Sequence, residues 1–204
     1  MGRQDIFLEF DNPLSQFFAG LQWEANPQAG DGVFHLFAHH HDLDISCVLF
    51  DKDRSVVDVI TPMAPKTNQY RLQVLHTGDH QTGNSDLEDE EIRINLKTLD
   101  SGIHHVLFAV SNKGKAGFED VDAPFCHFMD SSTFRRFFSV DLRQHPVPRD
   151  VYGDHMYFCA AMLNRLPLNR IEGDDWSLTP LLKYVTGNQE GPHEMDVTSL
   201  VNSL

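Results

Sequence analysis

The densest group of ligand-type side chains lies in residues 76–91, which read HTGDHQTGNSDLEDEE. No Lys or Arg occurs from Leu72 to Ile92, so this stretch contains no positive charge of its own. Calcium takes about six to eight oxygen ligands from carboxylates, backbone carbonyls and water. The stretch is therefore a candidate cation site, with a solvated turn or a disordered acidic linker as the alternatives. Its carboxylates are Asp79, Asp86, Glu88, Asp89, Glu90 and Glu91.

The acidic stretch does not follow the EF-hand pattern, in which acidic or amide residues alternate before a glycine and a distant glutamate. Counting from Asp79, the alternate positions hold Gln81 and Gly83. A cation site here must therefore be assembled from separate segments of the chain.

Asp42 and Asp44 supply the natural second segment, because they lead into an apolar run. Their i, i+2 spacing in a strand puts both side chains on one face, about 7 Å apart along the chain. Two such carboxylates repel each other unless water surrounds them or a cation bridges them. A cation site and a solvent-exposed strand face are thus the two interpretations of this pair.

The elements that must position these residues read as β-strands, because most apolar stretches are short and alternate with a period of two or run continuously. Residues 152–166 fit either a strand or a helix. Many short strands predict an all-β fold, which we expect to be a β-sandwich of two mainly antiparallel sheets with short helical segments near the C-terminus. The candidate strands are 5–10, 17–25, two segments within 32–50, 55–60, 70–76, 91–96, 104–111, 125–130, 134–142 and a segment starting at Trp176.

No clear domain boundary or long-period repeat appears in the sequence. We expect a single domain over residues 1–186, followed by a polar C-terminal tail over residues 187–204. The tail contains one weak helical signal, in MDVTSLVNSL.

Composition narrows the classes of partner and compartment. The 204 residues carry a formal net charge of −14, which disfavours nucleic-acid binding and favours cations or basic partners. Cys47, Cys126 and Cys159 are widely spaced and odd in number, which argues against a disulfide framework. The N-terminus lacks an apolar core of signal-peptide length, and no apolar run has the roughly 20 residues needed to span a bilayer. We therefore expect a cytoplasmic protein.

Two further patterns leave other functions open. In His39-His40-His41, alternate residues of a strand could share a transition metal, and with the acidic stretch this would suit a metal-dependent enzyme. No G-x-S-x-G, P-loop or H-E-x-x-H motif accompanies it. Arg135 and Arg136 lie among Phe134, Phe137 and Phe138, which fits either a phosphate- or cyclic-nucleotide-binding patch or ordinary strand alternation.

The acidic stretch and the aspartate pair together resemble the TerD family, the tellurium-resistance and stress-protein domain. Residues 76–90 match the family's acidic loop, H-T-G-D-x-x-T-G-x-x-x-x-D-D-E, and HHDLDISCVLF matches its D-x-D-L-D strand. Residues 19–23 correspond to the family's V-G-L-G-W strand, and residues 108–110 and 117–125 also fit. The resemblance covers residues 5–180.

This resemblance implies a β-sandwich that binds calcium, commonly two ions, and has no enzymatic activity. Family members are linked to tellurite resistance, phage or colicin tolerance and general stress, and some relatives have been named cAMP-binding proteins. Members are thought to act in multiprotein assemblies near the membrane. By resemblance, the partners would be other stress-resistance proteins, without an integral membrane segment and with peripheral membrane association left open.

The resemblance also implies a set of calcium ligands. His40 stands where the family has the first Asp of D-x-D-L-D, and imidazole is a poor calcium ligand. Glu88 stands where Asp is usual, one methylene longer. We therefore expect one of the two family calcium sites to be weakened or lost. The ligands carried over are Asp42, Asp44, Asp79, Asp86, Glu88, Asp89 and Glu90.

Overall fold

A computed structural model describes residues 4–12, 14–24, 41–63, 69–79, 89–113, 117–148, 155–167 and 176–204. This part of the chain contains one α-helix, α1 (Glu194–Asn202), and one turn of 3₁₀-helix at Leu142–Gln144. The remaining elements are strands. They are β1 (Ile6–Phe7), β2 (Phe17–Glu24), β3 (Leu43–Phe50), β4 (Val56–Ile60), β5 (Val74–His76), β6 (Glu90–Ile94), β7 (His105–Asn112), β8 (Asp122–Asp130), β9 (Arg136–Asp141), β10 (His155–Arg165), β11 (Trp176–Asn188) and β12 (Gly191–Pro192).

The strands form two antiparallel sheets. The larger sheet has the order β1-β11-β10-β7-β3-β4, with β12 added to β11, and the smaller has the order β5-β6-β2-β8-β9. Residues 152–166, which fit a strand or a helix, contain strand β10. The first of the two strands expected within 32–50 lies outside the described residues. The predicted all-β sandwich of two antiparallel sheets is confirmed.

The main core lies between the sheets and follows the period-two pattern of the sequence. In β3, Leu43, Ile45, Cys47 and Leu49 are fully buried and belong to this core. Aromatic rings fill its centre, where Phe108 and Phe128 meet edge to face with ring centroids 5.3 Å apart. Burying one such side chain contributes about 1.5–3 kcal/mol, so this layer is the main source of stability.

A second core covers part of the outer face of the larger sheet. Val48 and Phe50 of β3 point away from the first core, and they are fully buried in a cluster that includes Val197 and Val201 of α1. Arg54 Nη1 donates a hydrogen bond of 2.8 Å to the carbonyl of Val201, which holds the end of α1. The helix therefore shields the C-terminal half of β3 and leaves the N-terminal half, with Asp44, uncovered by this cluster.

The helix α1 lies in the segment whose sequence shows a helical signal. Strand β11 runs to Asn188, so the expected division at residue 186 falls inside a strand. The division into residues 1–186 and a tail of residues 187–204 stays a prediction.

Two side chains of the smaller sheet bind the backbone of Ile45 in the larger sheet. The pairing of β4 with β3 ends at the partners Cys47 and Ile60. The edge of β3 at Ile45 is therefore not paired with β4. Glu90 Oε2 accepts a hydrogen bond from Ile45 N at 3.0 Å. His76 Nε2 lies 2.7 Å from Ile45 O. We call His76, Glu90 and the Ile45 backbone groups the Ile45 clamp.

The protonation state of His76 follows from its second contact. Its Nδ1 accepts a hydrogen bond from Gly78 N at 2.9 Å, so the proton lies on Nε2, which donates to Ile45 O. Burial lowers the pKa of His76, which favours this neutral form. Gly78 has a φ of 105°, a conformation that side chains disfavour, so a glycine fits this turn.

The clamp holds both ends of the acidic stretch, because His76 is its first residue and Glu90 its second-to-last. Two further hydrogen bonds join Thr77 to Glu91, next to the clamp. Thr77 N donates to Glu91 O and Glu91 N donates to Thr77 Oγ1, each at 3.0 Å. Both ends of the acidic stretch are therefore fixed one residue away from Asp44.

Replacing His76 with leucine is expected to destabilise the protein by about 2–4 kcal/mol, because it leaves Ile45 O and Gly78 N without partners and each such group costs about 1–3 kcal/mol. The measurement is urea unfolding, together with hydrogen exchange of the Gly78 amide, which should accelerate. His104→Leu is the matched control, since His104 is half-buried just before β7 and lies outside the clamp. Equal losses in the two variants would contradict a specific role for the clamp.

Candidate metal centre

Three carboxylates converge on the outer face of the larger sheet. Asp42 and Asp44 lie at the start of β3, and Asp79 follows β5 in the acidic stretch. One oxygen from each lies within 4.8 Å of the others. Their side chains are only 19%, 14% and 25% exposed, in that order, so bulk water solvates these charges incompletely. The two segments singled out in the sequence are thus neighbours in the fold.

Lys113 lies at the centre of this carboxylate group. Its Nζ is 3.0 Å from Asp42 Oδ2, 3.5 Å from Asp79 Oδ2 and 3.8 Å from Asp44 Oδ1. Its backbone is fixed as well, because Lys113 N donates to Asp42 O at 2.8 Å. The acidic stretch, which contains no Lys or Arg of its own, therefore has Lys113 as a cationic neighbour at its Asp79 end.

The positive charge of Lys113 does not balance three carboxylates. Burial, opposed by Lys113 and reinforced by Asp42 and Asp79, raises the pKa of Asp44 to about 6. Partial burial alone would lower the pKa of Lys113, but its hydrogen bond to Asp42 and the nearby carboxylate charges raise it. The ammonium thus stays charged, and the group keeps an excess of negative charge.

Two oxygens in the group lack a donor. Asp42 Oδ1 and Asp44 Oδ1 are buried and have no hydrogen-bond partner among the described residues. Leaving a buried acceptor unsatisfied costs about 1–3 kcal/mol, and more for a charged group. Buried carboxylate oxygens without donors suit a hard cation such as Ca²⁺, which prefers oxygen ligands.

Asp89 and Glu90, two other predicted ligands, lie elsewhere. Asp89 Oδ2 accepts from Trp23 N at 3.1 Å, and Glu90 belongs to the Ile45 clamp. In the described part of the chain neither joins the group of Asp42, Asp44 and Asp79. Glu90, Ile92 and Ile94 are all fully buried, so the period-two alternation of Glu90 with the two isoleucines is the sequence feature that indicates its burial.

The remaining predicted ligands, Asp86 and Glu88, lie outside the described residues. His40, whose identity led us to expect a weakened second site, is also outside them. The ligand assignments and the calcium stoichiometry therefore stay predictions.

The structure also places the residues of the two alternative sites. His39 lies outside the described residues, and His41 uses its carbonyl to accept from Trp23 Nε1 at 3.1 Å. In the basic aromatic patch, Phe137 and Phe138 pack against the main core, whereas Phe134 is exposed. Arg135 pairs with Asp11 through an Nε–Oδ2 contact of 3.1 Å and lies over the Phe137 ring. These contacts fit structural alternation of the aromatics.

Across the described residues, no helix has the length and apolarity that a bilayer crossing requires.

Comparison with solved structures supports the same fold. A crystal structure of a homologue of telluride resistance protein (TerD) from Streptomyces coelicolor A3(2) superposes with a TM-score of 0.61 and covers 86% of this chain and 93% of its own. A second crystal structure, of a protein of unknown function, gives a TM-score of 0.59 and covers 90% and 95%. The sequence identities are 16% and 15%, so these matches establish the fold alone.

Comparison of sequences establishes the family. Tellurium resistance protein TerZ of Serratia marcescens is 34% identical over 191 residues, which is 92% of this chain and 90% of TerZ. General stress protein 16U of Bacillus subtilis (strain 168) is 27% identical over 149 residues, or 69% of this chain and 72% of that protein. The family model of the TerD domain matches residues 3–148. The chain therefore belongs to the TerD family.

Proposed function

We propose that this protein is a calcium-binding stress-response protein of the TerD type, active in tellurite or general stress resistance as a non-enzymatic interaction module. Family membership and the likeness to a tellurium resistance protein support the stress-resistance role. One observation carries the calcium proposal. Three partly buried carboxylates converge within 4.8 Å, and two of their buried oxygens have no donor among the described residues.

In this proposal Asp42, Asp44 and Asp79 supply the described part of the calcium shell. Asp86 and Glu88, on the same acidic stretch as Asp79, are proposed to add ligands. Asp89 and Glu90 hold that stretch in place through Trp23 N and Ile45 N. Their direct ligation of calcium stays a prediction.

Bound calcium would supply the positive charge that Lys113 provides only in part. By joining the start of β3 to the acidic stretch, the ion would fix the surface between them in one conformation. We propose that this surface contacts other stress-resistance proteins. A ligand that binds only the folded state adds about 2.7 kcal/mol of stability at a hundredfold excess over its dissociation constant.

One serine–histidine contact among the described residues resembles a nucleophile and its base, but the histidine is poorly suited to act as a base. In the described chain, His127 Nδ1 lies 2.7 Å from Ser139 Oγ. Burial and the nearby Arg136 lower the pKa of His127 to about 4. A general base works best with a pKa near the working pH, so this imidazole is a poor base at neutral pH.

Calcium is expected to raise the melting temperature by about 5–10 °C over chelator at a hundredfold excess over its dissociation constant, given the stabilisation above and a domain of this size. The double variant Asp42→Asn, Asp44→Asn should lose this shift. Asp53→Asn is the matched control, because Asp53 is an exposed carboxylate on the β3–β4 turn and pairs with Lys52. An unchanged melting temperature in the wild-type protein would count against the proposal.

Calorimetric titration of the same protein addresses the number of ions. With His40 in place of an aspartate, we expect one tight calcium ion per chain. Two equally tight ions would contradict a weakened second site.

The Lys113→Met variant is expected to bind calcium about tenfold more tightly, a change of about 1.4 kcal/mol in binding free energy. The substitution removes the ammonium that competes with the ion for the carboxylates. The same variant should melt at a lower temperature in chelator, since the three carboxylates then lose their contacts with the ammonium. Lys52→Met is the matched control, because Lys52 is exposed and pairs only with its neighbour Asp53 among the ion pairs described. Weaker calcium binding by Lys113→Met would contradict competition between the ammonium and the ion.

A further inference from the structure

A cavity of about 250 Å³ opens directly beside the carboxylate group. Asp44 and Lys113 belong both to that group and to the cavity wall. Ser111 and Tyr157 continue the wall across the sheet, because Ser111 pairs with Asp44 on β3 and with Tyr157 on β10. The cavity is therefore a continuation of the candidate metal centre along the outer face of the larger sheet.

Asn112, His155 and Gln189 also line the cavity, but most of its exposed lining surface is apolar. Met156 lies buried in the wall, and Met63 lies 70% exposed after β4. Tyr157 is fixed, because its hydroxyl donates to Asn188 O at 2.8 Å. Two flexible thioethers beside a rigid aromatic ring suit an apolar body of adaptable shape. The volume lies just below the range of about 300–1,000 Å³ typical of drug-sized ligands, so one ring with a substituent is the appropriate scale.

Lys113 connects this cavity to the ion. Among the described residues its ammonium contacts Asp42, Asp44 and Asp79, so one positive charge faces three carboxylates. Calcium lies about 2.3–2.6 Å from its oxygen ligands, so an ion on these carboxylates would repel an ammonium 3.0 Å from Asp42 Oδ2. The Lys113 side chain is 39% exposed on a flexible stem, and the cavity is its other neighbour.

Calcium also weakens the attraction between the carboxylates and the ammonium. Three ionised carboxylates with a calcium ion carry one net negative charge in place of three, so the displaced ammonium becomes available to an anionic partner in the cavity. A carboxylate supplies that partner, and the methionine and tyrosine side chains supply an apolar environment for the group that carries it.

We propose that this cavity binds a small organic carboxylate with an apolar body, and that calcium makes Lys113 available to hold the carboxylate. This inference rests on the calcium site of the proposed function. It assigns to the TerD fold of this chain a calcium-dependent small-molecule site, in which the ion acts by releasing a lysine.

The test uses benzoate, with benzyl alcohol and benzylamine as neutral and cationic analogues of the same shape. Calcium binding to the full chain is first measured by calorimetry, and each probe is then titrated in saturating calcium and in chelator, with chemical shifts as the readout. Benzoate should bind at least tenfold more tightly in calcium, benzyl alcohol equally in both, and benzylamine more weakly in calcium. Equal benzoate binding in both conditions, or none, overturns the proposal.

Three variants distinguish the role of Lys113 in benzoate binding from the role of calcium. Lys113→Met should keep calcium binding and lose benzoate binding, whereas Lys52→Met should keep both. Met63→Asp, which adds a negative charge at the exposed side of the cavity, should also keep calcium and weaken benzoate. If Lys113→Met still binds benzoate in calcium, the carboxylate contacts the ion directly and the role of Lys113 is overturned.

The two proposals fail in different ways. If the wild-type protein does not bind calcium, the proposed function fails, and the calcium-dependent cavity fails with it. If calcium binds and benzoate does not, the cavity proposal alone is overturned.

Discussion

The hydrogen bonds of the Ile45 clamp fix where the acidic stretch meets the larger sheet. Ile45 N and O are satisfied by Glu90 and His76, which come from the other sheet and lie at the two ends of that stretch. A buried backbone group without a partner costs about 1–3 kcal/mol, so a shift of either strand would be penalised twice. Because Asp44 directly precedes Ile45 in β3, the same bonds determine which side chains can meet Asp79.

The clamp is joined by a second polar contact between the sheets. Asp89 accepts from Trp23 N, and Trp23 Nε1 donates to His41 O, just before Asp42. The described carboxylates of the acidic stretch thus differ in their placement. Asp89 and Glu90 lie buried and bind backbone groups of the two sheets, whereas Asp79 lies on the outer face beside Lys113. A run of carboxylates that reads as uniform in sequence has two different physical roles.

The carboxylates of Asp42, Asp44 and Asp79 are held close enough to repel one another. Burial, opposed by Lys113 and reinforced by repulsion from Asp42 and Asp79, raises the pKa of Asp44 to about 6. A rigid scaffold that holds like charges together favours cation binding, because the ion removes the repulsion and the core does not have to rearrange. α1 contributes by covering the other half of the outer face of β3, so the charged group and the adjoining cavity occupy the half left open. Met156 and Tyr157 lie beyond residues 3–148, so the cavity combines the matched family domain with strands that follow it.

Local periodicity in the sequence determined the strands, the sandwich class and the shared face of Asp42 and Asp44, because side chains alternate across a strand whatever its neighbours are. The family motif further connected that pair with the stretch containing Asp79. The position of Lys113 depends on the antiparallel register of β3 and β7, in which Leu43 faces Asn112, so the next residue lies beside Asp42. The burial of Val48 and Phe50 depends on a helix about 150 residues later in the chain. These features were decided by tertiary structure alone, because pairing and packing between distant segments leave no periodic mark in either segment.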